Sequence, residues 1–242
     1  MIVEKKLGIT PDYQFKAINS KNFLQANWHR NKLVAIEELI DISKQTKILD
    51  LGPGSGNLEI YMAKKCGHIT AVDYNDEAIK FLDIKLSEMN ISNVTTHVKN
   101  INKISELKLG EKYDLITMID VIEHLNMQDA QKLVKYLPSL LNDSGQILII
   151  TPNYKSAWVI IEKILDKISI VPKFENEQHL AKFHHQNLSE IFKAAGLKME
   201  QFKTFNYISY ISPISILSKE ICKIELSIPF KEGNLIAAVF SK

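Results

Sequence analysis

The segment 48–57, ILDLGPGSGN, constrains the fold of this chain more than any other part of the sequence. An apolar run leads into a turn with Gly52, Gly54 and Gly56 at alternate positions, and a helical pattern follows at once. Glycine permits positive φ angles and lets the backbone lie against a ligand without an intervening Cβ. A strand, a glycine turn and the free N–H groups of a helix N-terminus together predict a ligand-binding crossover in a parallel sheet.

The rest of the chain continues this pattern. Apolar runs alternate with amphipathic helical stretches, which is typical of a parallel sheet covered on both faces. We predict strands at 47–51, 69–73, 94–98, 113–119, 146–151, 198–206 and 235–240, and a helix at 76–89. The predicted fold class is α/β: a doubly wound, Rossmann-like, mostly parallel seven-stranded sheet with helices on both faces.

The spacing of the glycines separates two kinds of ligand. A dinucleotide site carries GxGxxG, whereas the third glycine here comes one residue early and Asp50 precedes the turn. A carboxylate so close to the loop does not suit a diphosphate, but it would accept hydrogen bonds from an ammonium group. The loop therefore favours a cationic amino-acid nucleoside over a pyrophosphate.

DLGPGSG resembles the first motif of the class I S-adenosylmethionine-dependent methyltransferases, and the later motifs follow in order. The resemblance implies that Asp73 binds the ribose hydroxyls. It also implies that Asn100, where the family commonly has Asp, and the N–H of Ile101 bind the adenine. The cofactor-binding residues implied for S-adenosylmethionine are Lys32, Asp50, Gly52, Gly54, Gly56, Asp73, Tyr74, Asn100, Ile101, Ile119 and Asp120.

A subgroup of this family resembles the chain more closely. DVIEHL at 120–125, TPN at 151–153, KSAW at 155–158, VPK at 171–173 and HLAKF at 179–183 are similar to segments of the ubiquinone-biosynthesis O-methyltransferases. In that subgroup an Arg holds the methionyl carboxylate, and Lys32 stands at its position, with Arg30 close by. Trp158 and His179 are the residues that we expect at the methyl acceptor.

The resemblance implies O-methylation of a small hydroxylated acceptor, lipophilic or not. Two alternatives stay open at this point. One is a methyltransferase of a sugar or a lipid-linked glycan intermediate, and the other is a non-catalytic module that binds S-adenosylmethionine.

The acceptor hydroxyl must lose a proton, and His124 is the candidate base because imidazole titrates near neutrality and the residue follows the fourth strand. Glu123 and His124 are equally compatible with a plain strand end and helix cap. A divalent metal held by Asp120, Glu123 and His124 is also compatible with the pattern, but we do not predict one.

An amphipathic pattern covers 156–169. It places Ala157, Ile161 and Ile164 on one face and charged residues that include Glu162 on the other. The pattern favours a helix packed on the sheet, with a lid or an interfacial helix as the alternative. Contact with the surface of a membrane therefore stays open.

We predict one domain over 1–242, divided into helical cover (1–44), cofactor-binding core (45–152), lid or acceptor segment (153–187) and C-terminal helix and strands (188–242). The Pro-broken stretch between the last two strands has no assignment. A net charge of +2 without a compact basic block argues against a nucleic-acid partner. Two distant cysteines and a start without an apolar signal predict a cytoplasmic protein. We expect a monomer or a homodimer.

Overall fold

Seven strands form one sheet in the computed structural model, which describes residues 10–106, 109–168, 179–229 and 231–242. Their order is β3-β2-β1-β4-β5-β7-β6, and β7 runs antiparallel to both of its neighbours. The strands are β1 (Lys47–Leu51), β2 (His68–Asp73), β3 (Val94–Val98), β4 (Tyr113–Ile119), β5 (Leu141–Pro152), β6 (Lys198–Phe205) and β7 (Leu235–Ser241). This confirms the predicted α/β class with a mostly parallel sheet.

Helices cover the sheet on both faces, as parallel connections require. They are α1 (Tyr13–Ile18), α2 (Phe23–Leu39), α3 (Asn57–Met62), α4 (Asp76–Glu88), α5 (Met127–Tyr136), α6 (Trp158–Ile168), α7 (His185–Ala194) and α8 (Ser215–Ser227). Short 3₁₀ turns lie at Ile101–Glu106, Ile122–His124, Leu137–Leu140 and Ser209–Ile211. None of the helices in the described part of the chain is long and apolar enough to cross a membrane.

The strand predictions hold to within a few residues at most ends. The fifth strand is the main exception, because β5 begins at Leu141, well before the predicted 146, and pairs there with Tyr113 across an irregularity in register. The unassigned Pro-broken stretch contains the turn Ser209–Ile211 and the helix α8. Val171, Pro172 and Lys173 of the subgroup motif lie outside the described residues.

One edge of the sheet collects the ends that matter for function. Strands β1, β4 and β5 are parallel, so their carboxyl ends meet at one edge. Strand β6 is antiparallel to β7, which is antiparallel to β5, so β6 also ends at this edge and β7 begins there. The connection 206–234 therefore leaves and re-enters the sheet beside the carboxyl ends of the parallel strands, where open α/β sheets bind their ligands.

Buried polar side chains attach this connection to α2. Glu225 accepts hydrogen bonds from the backbone N–H groups of Ile208 (2.9 Å) and Ser209 (3.0 Å) and from the Ser209 hydroxyl (2.8 Å). Asn31 on α2 donates to Asn206 at 2.8 Å and to Ser209 at 3.1 Å. Each of these polar side chains is at most 5% exposed. The network therefore fixes where α8 and the Ser209–Ile211 turn lie.

This network predicts a large loss of stability when Glu225 is truncated. Glu225→Ala leaves two buried N–H groups without their acceptor and should lower the free energy of unfolding by about 2–4 kcal/mol. Urea denaturation measures the change. Glu220→Ala is the matched control, because Glu220 is an exposed carboxylate on the same helix that pairs with Lys223 at 3.3 Å, and it should cost less than about 1 kcal/mol. Equal losses in the two variants would contradict the role of the network.

Candidate functional site

The glycine turn after β1 adopts the backbone that its sequence predicts. The φ angles of the three glycines are 85° at Gly52, 53° at Gly54 and 82° at Gly56. Residues with a side chain rarely adopt such angles. The Gly52 N–H donates to the carbonyl of Val72 at 2.9 Å, and a Cβ on Gly52 would lie 2.4 Å from Val121. Only glycine therefore lets the turn pass between the ends of β2 and β4.

Asp73 holds the same turn from the end of β2. One carboxylate oxygen accepts from the Gly54 N–H at 3.1 Å and the other accepts from the Asn75 N–H at 2.8 Å. The cap of α4 is Asn75, whose side chain accepts from the N–H groups of Glu77 and Ala78. Asp73 thus holds the loop in shape. It is not the cap of α4, although an Asp at the end of a strand often caps the next helix.

Helix α1 lies over the glycine turn, a contact that no pattern in the sequence predicts. The Gln14 Oε1 accepts from the N–H and from the hydroxyl of Ser55, both at 2.9 Å. Asn57 donates to the backbone carbonyl of Gln14 at 3.0 Å. A Cβ on Gly54 would lie 2.3 Å from Gln14 Oε1, so the amide packs directly against the turn. Position 14 is therefore part of the site.

A cavity opens between this turn, α2 and the end of β4. The predicted cofactor residues that line it are Lys32, Asp50, Gly52, Ile119 and Asp120, together with Gln14, His29, Leu33, Pro53, Asn57 and Leu58. His29, Gln14 and Asn57 extend the predicted set. Gln14 and His29 were missed because nothing local in the sequence marks a helix residue that faces a distant loop, whereas Asn57 directly follows the predicted turn.

Two buried carboxyl groups lie at the floor of this site. Asp50 is 2% exposed and Glu59, on α3, is fully buried. Burial raises the pKa of Asp50 to about 6, although the Thr117 hydroxyl and Glu59 act in the opposite direction. Burial, and then the charge of Asp50, raise the pKa of Glu59 well above its usual range. The floor therefore disfavours a second negative charge and suits a cationic ligand group.

Lys32 and Asp120 form an ion pair at the wall of the cavity. Burial alone would raise the pKa of Asp120, but the charge of Lys32 and its hydrogen bond to the carboxylate lower it overall. Asp120 has a φ of 53°, which turns the chain from β4 into the Ile122–His124 turn. Arg30, the alternative cation, is exposed and donates to the carbonyl of Ile18 at 3.0 Å, so Lys32 is the cation that faces the cavity.

The residues expected at the adenine lie apart from this cavity lining. Tyr74 is 37% exposed and Ile101 is 6% exposed. Asn100 is exposed after β3, and its Oδ1 accepts from the N–H of Asn102 at 2.9 Å. These positions follow β2 and β3, the next strands outward from β1. The glycine turn thus has the cavity on one side and these residues on the other.

Beyond β4, the predicted base and its neighbour lie in different environments. His124 is exposed, whereas Glu123 is 1% exposed and accepts from the Thr151 hydroxyl at 2.9 Å. The backbone carbonyl of Glu123 accepts from the N–H groups of Leu180 and Ala181 at 2.8 and 3.0 Å. These bonds bring the segment of His179 against the end of β4.

His179 is buried against a carboxylate that the sequence pattern placed on the wrong face. Its Nδ1 lies 2.6 Å from Glu162 Oε1, and the Tyr154 hydroxyl lies 2.8 Å from both atoms. Glu162 is 3% exposed, whereas Ile160 and Ile164 on the same helix are 64% and 53% exposed. The prediction that Glu162 faces outward is wrong, because its partners His179 and Tyr154 make its burial favourable.

Three side chains at this point could share a cation. Ligand atoms of Glu123, His124 and His179 all lie within 4.8 Å of one another. Asp120, which the sequence grouped with Glu123 and His124, instead forms its ion pair with Lys32. Burial raises the pKa of Glu123, although the charges of the two histidines lower it in part.

A row of aromatic rings connects the exposed His124 with Tyr210 through side chains that are mostly buried. The ring centroids of His124 and His179 are 5.3 Å apart, and those of His179 and Trp158 are 6.2 Å apart. Trp158 lies 5.2 Å from Trp28, which lies 5.1 Å from Tyr210. Trp158 and His179, which we expect at the acceptor, therefore lie in one row of rings, and Trp28 and Tyr210 extend it.

Comparisons with known proteins agree with this architecture. A family model described as a methyltransferase domain matches residues 22–201. The ubiquinone biosynthesis O-methyltransferase of Acinetobacter baylyi is 22% identical over 200 residues, which cover 80% of this chain and 78% of the relative. The protein of the same name from Nitrosomonas europaea is 25% identical over 193 residues, covering 77% and 75%.

Solved structures of low sequence identity share the fold. An S-adenosylmethionine-dependent methyltransferase from Clostridium acetobutylicum has a TM-score of 0.62 at 15% identity, covering 99% of each chain. The magnesium protoporphyrin IX methyltransferase of Synechocystis, solved with S-adenosylhomocysteine, has a TM-score of 0.62 at 14% identity, covering 95% of this chain and 93% of its own. Since the family model spans most of the sequence, the chain belongs to the methyltransferase family, in the class I S-adenosylmethionine-dependent superfamily, and is an enzyme with S-adenosylmethionine as its cofactor.

Proposed function

We propose that this enzyme transfers a methyl group from S-adenosylmethionine to a hydroxyl group of a small lipophilic acceptor, with His179 as the proton acceptor. The observation that carries the proposal is the buried contact of His179 with Glu162 at the end of the aromatic row. An apolar wall beside a carboxylate-oriented imidazole suits a hydroxylated ring or chain better than a sugar.

The cavity fits the charged tail of S-adenosylmethionine. Asp50 offers a buried carboxylate to the ammonium group of S-adenosylmethionine. Because burial raises the pKa of Asp50, its negative charge is favoured when a cation lies beside it. An ammonium side chain has three N–H donors, so Lys32 can bind Asp120 and the carboxylate of the tail together. The carboxylate of Asp73 lies at the end of β2 against the Gly54 N–H, which is where the resemblance expects the ribose hydroxyls to bind.

When bound, S-adenosylmethionine supplies a methyl group on a positively charged sulfur, which leaves as a neutral thioether once an acceptor oxygen takes the methyl. The protein has two tasks beyond binding: to exclude water and to accept the hydroxyl proton. Ile119 and the aromatic row provide apolar walls for the first task.

The second task falls to His179. Glu162 holds its Nδ1–H, which leaves Nε2 as the acceptor and stabilises the imidazolium that forms. Tyr154 donates to the same Glu162 oxygen at 2.8 Å and limits its movement. His124 is the alternative base, but it is exposed, whereas His179 is 5% exposed and lies against the buried Glu162. We therefore assign His124 to the mouth of the acceptor site.

The role of Asp50 predicts a pH-dependent affinity. Its carboxyl group is neutral below a pKa of about 6, so affinity for S-adenosylhomocysteine should fall about tenfold per pH unit below that value and level off above it. Asp50→Asn should weaken S-adenosylhomocysteine binding and remove the pH dependence between pH 5 and 7. Adenosine, which lacks the ammonium group, should bind with little change. Isothermal titration calorimetry measures all three.

Asp76→Asn is the matched control, because Asp76 is an exposed carboxylate that pairs with Lys80. It should leave both affinities and the pH profile unchanged. Equal losses of adenosine and S-adenosylhomocysteine in Asp50→Asn would show that Asp50 supports the loop and does not bind the tail.

The role of His179 predicts a loss of turnover without a loss of cofactor binding. His179→Ala should lower kcat by about 10²–10⁴-fold. Glu162→Gln should also lower kcat. It should move the acidic limb of the pH–rate profile to lower pH, because the imidazolium of His179 loses its counter-charge. Glu162→Asp keeps the carboxylate and should retain part of the activity. The acceptor is first identified by mass spectrometry as the metabolite that gains one methyl group. Rates of its methylation across pH then test these outcomes.

Glu190→Gln, on the exposed surface of α7, is the control for Glu162→Gln and should behave as wild type. His124→Ala should change KM more than kcat. A chelator should have no effect if His179 takes the proton directly. Loss of activity with chelator and recovery with Mg²⁺ would instead assign Glu123, His124 and His179 to a metal.

A further inference from the structure

Glu59 is a carboxyl group in the protein interior whose environment differs from that of the other buried acids. It lies in the first turn of α3, directly after the glycine turn, and is fully buried. Among the residues that the structure describes, no N–H or O–H group donates a well-formed hydrogen bond to either of its carboxyl oxygens. Glu162 and Glu225, by contrast, are buried against an imidazole and against N–H donors.

These surroundings favour the protonated form of Glu59. An ionised carboxylate that leaves water needs a cation or several donors to replace its hydration. Burial raises the pKa of Glu59 most, and the charge of Asp50 and a hydrogen bond that Asp50 accepts raise it further. Its own backbone N–H acts in the opposite direction, and the charge of Asp73 adds to the rise. Glu59 is therefore a buried carboxylic acid with one O–H donor.

Asp50 is the group through which Glu59 can act on a ligand. Asp50 borders the cavity, whereas Glu59 is fully buried behind the lining that α3 contributes with Asn57 and Leu58. The Thr117 hydroxyl donates to Asp50 Oδ1 at 2.5 Å. Burial raises the pKa of Asp50, but the bonds from Thr117 and Glu59 counteract this rise. Of the two carboxyl groups, Asp50 is therefore the one that holds the charge and Glu59 the one that holds the proton.

The other ionisable groups around the pair do not neutralise a second charge. The Asp73 carboxylate on β2 raises the pKa of both acids. The Cys66 thiol follows α3 and stays neutral, because burial raises its pKa. Lys32 in the same cavity forms its ion pair with Asp120. One negative charge on the pair is thus favoured, and a cationic ligand can meet it at Asp50.

We propose that Glu59 is a positioning residue for the cofactor: it stays protonated and donates to Asp50, which presents the single negative charge of the pair to the ammonium group of S-adenosylmethionine. The inference deepens the proposed function and rests on it for the role of Asp50. Glu59 itself does not touch the ligand. It fixes the orientation of the Asp50 carboxylate and keeps that group ionised near neutral pH.

Calorimetric titration of the full chain with S-adenosylhomocysteine between pH 5 and 8 tests where the proton lies. Glu59→Gln keeps a neutral side chain with an N–H donor, so its affinity should stay within about twofold of wild type, with the same midpoint near pH 6. Glu59→Leu removes the donor to Asp50, so its midpoint should move to higher pH. A rise of one pH unit would lower the affinity at pH 6 about fivefold.

An ionised Glu59 predicts the opposite sign, because both variants would then remove a negative neighbour of Asp50. A midpoint that moves to lower pH in either variant would overturn the inference. A loss of affinity in Glu59→Gln as large as that in Asp50→Asn would do so too, since Glu59 would then bind the ammonium group as an anion. Glu88→Gln is the matched control, because Glu88 is an exposed carboxylate on α4 that pairs with Lys85 at 2.7 Å. It should leave the midpoint unchanged.

Infrared spectra provide a second readout that needs no ligand and remains available if Glu59→Leu does not fold. At about pH 7 the wild type should show the carbonyl stretch of a protonated carboxyl group, and Glu59→Gln should lack it. A wild-type spectrum without that band would overturn the inference. Neither measurement uses a methyl acceptor, so a wrong assignment of the acceptor or of His179 leaves this test intact.

Discussion

Charged side chains are rarely buried without a partner that satisfies them, and this constraint positions three of the elements around the site. Lys32 fixes α2 against the end of β4 through Asp120. Glu162 fixes α6 against the His179 segment. Glu225 fixes the connection before β7 through Ser209. The sheet supplies one edge, and these three contacts decide which side chains face one another across it.

The sheet and the glycine turn are the parts of this structure that sequence predicts well, because both follow from local rules. Apolar runs of strand length and alternate glycines carry their signal within a few residues. The predicted strands, the choice of Asp50 and the choice of Trp158 and His179 follow from such signals or from family motifs. The sequence left both Lys32 and Arg30 as candidates for the cation, and only the structure shows that Lys32 faces the cavity.

The contacts that sequence missed join polar residues far apart in the chain. Gln14 reaches Ser55 over 41 positions, and Glu162 reaches His179 over 17. Periodicity shows that a helix has two faces, and it assigns the apolar face to the interior by default. That default fails for α6 and α8, whose interior faces include Glu162 and Glu225. Which face is buried was decided by partners that only the tertiary structure brings near.

The contact of Gln14 with the glycine turn also bears on how a ligand reaches that turn. Helix α1 has six residues, too few to be stable on its own, so it depends on the contact of Gln14 with Ser55 and on the packing of Phe15 against Phe81. Local opening of so short a helix needs no change in the sheet. A ligand group that approaches the Gly54 backbone meets the Gln14 amide first. Access to this turn therefore depends on a short helix at the surface and not on the core beneath it.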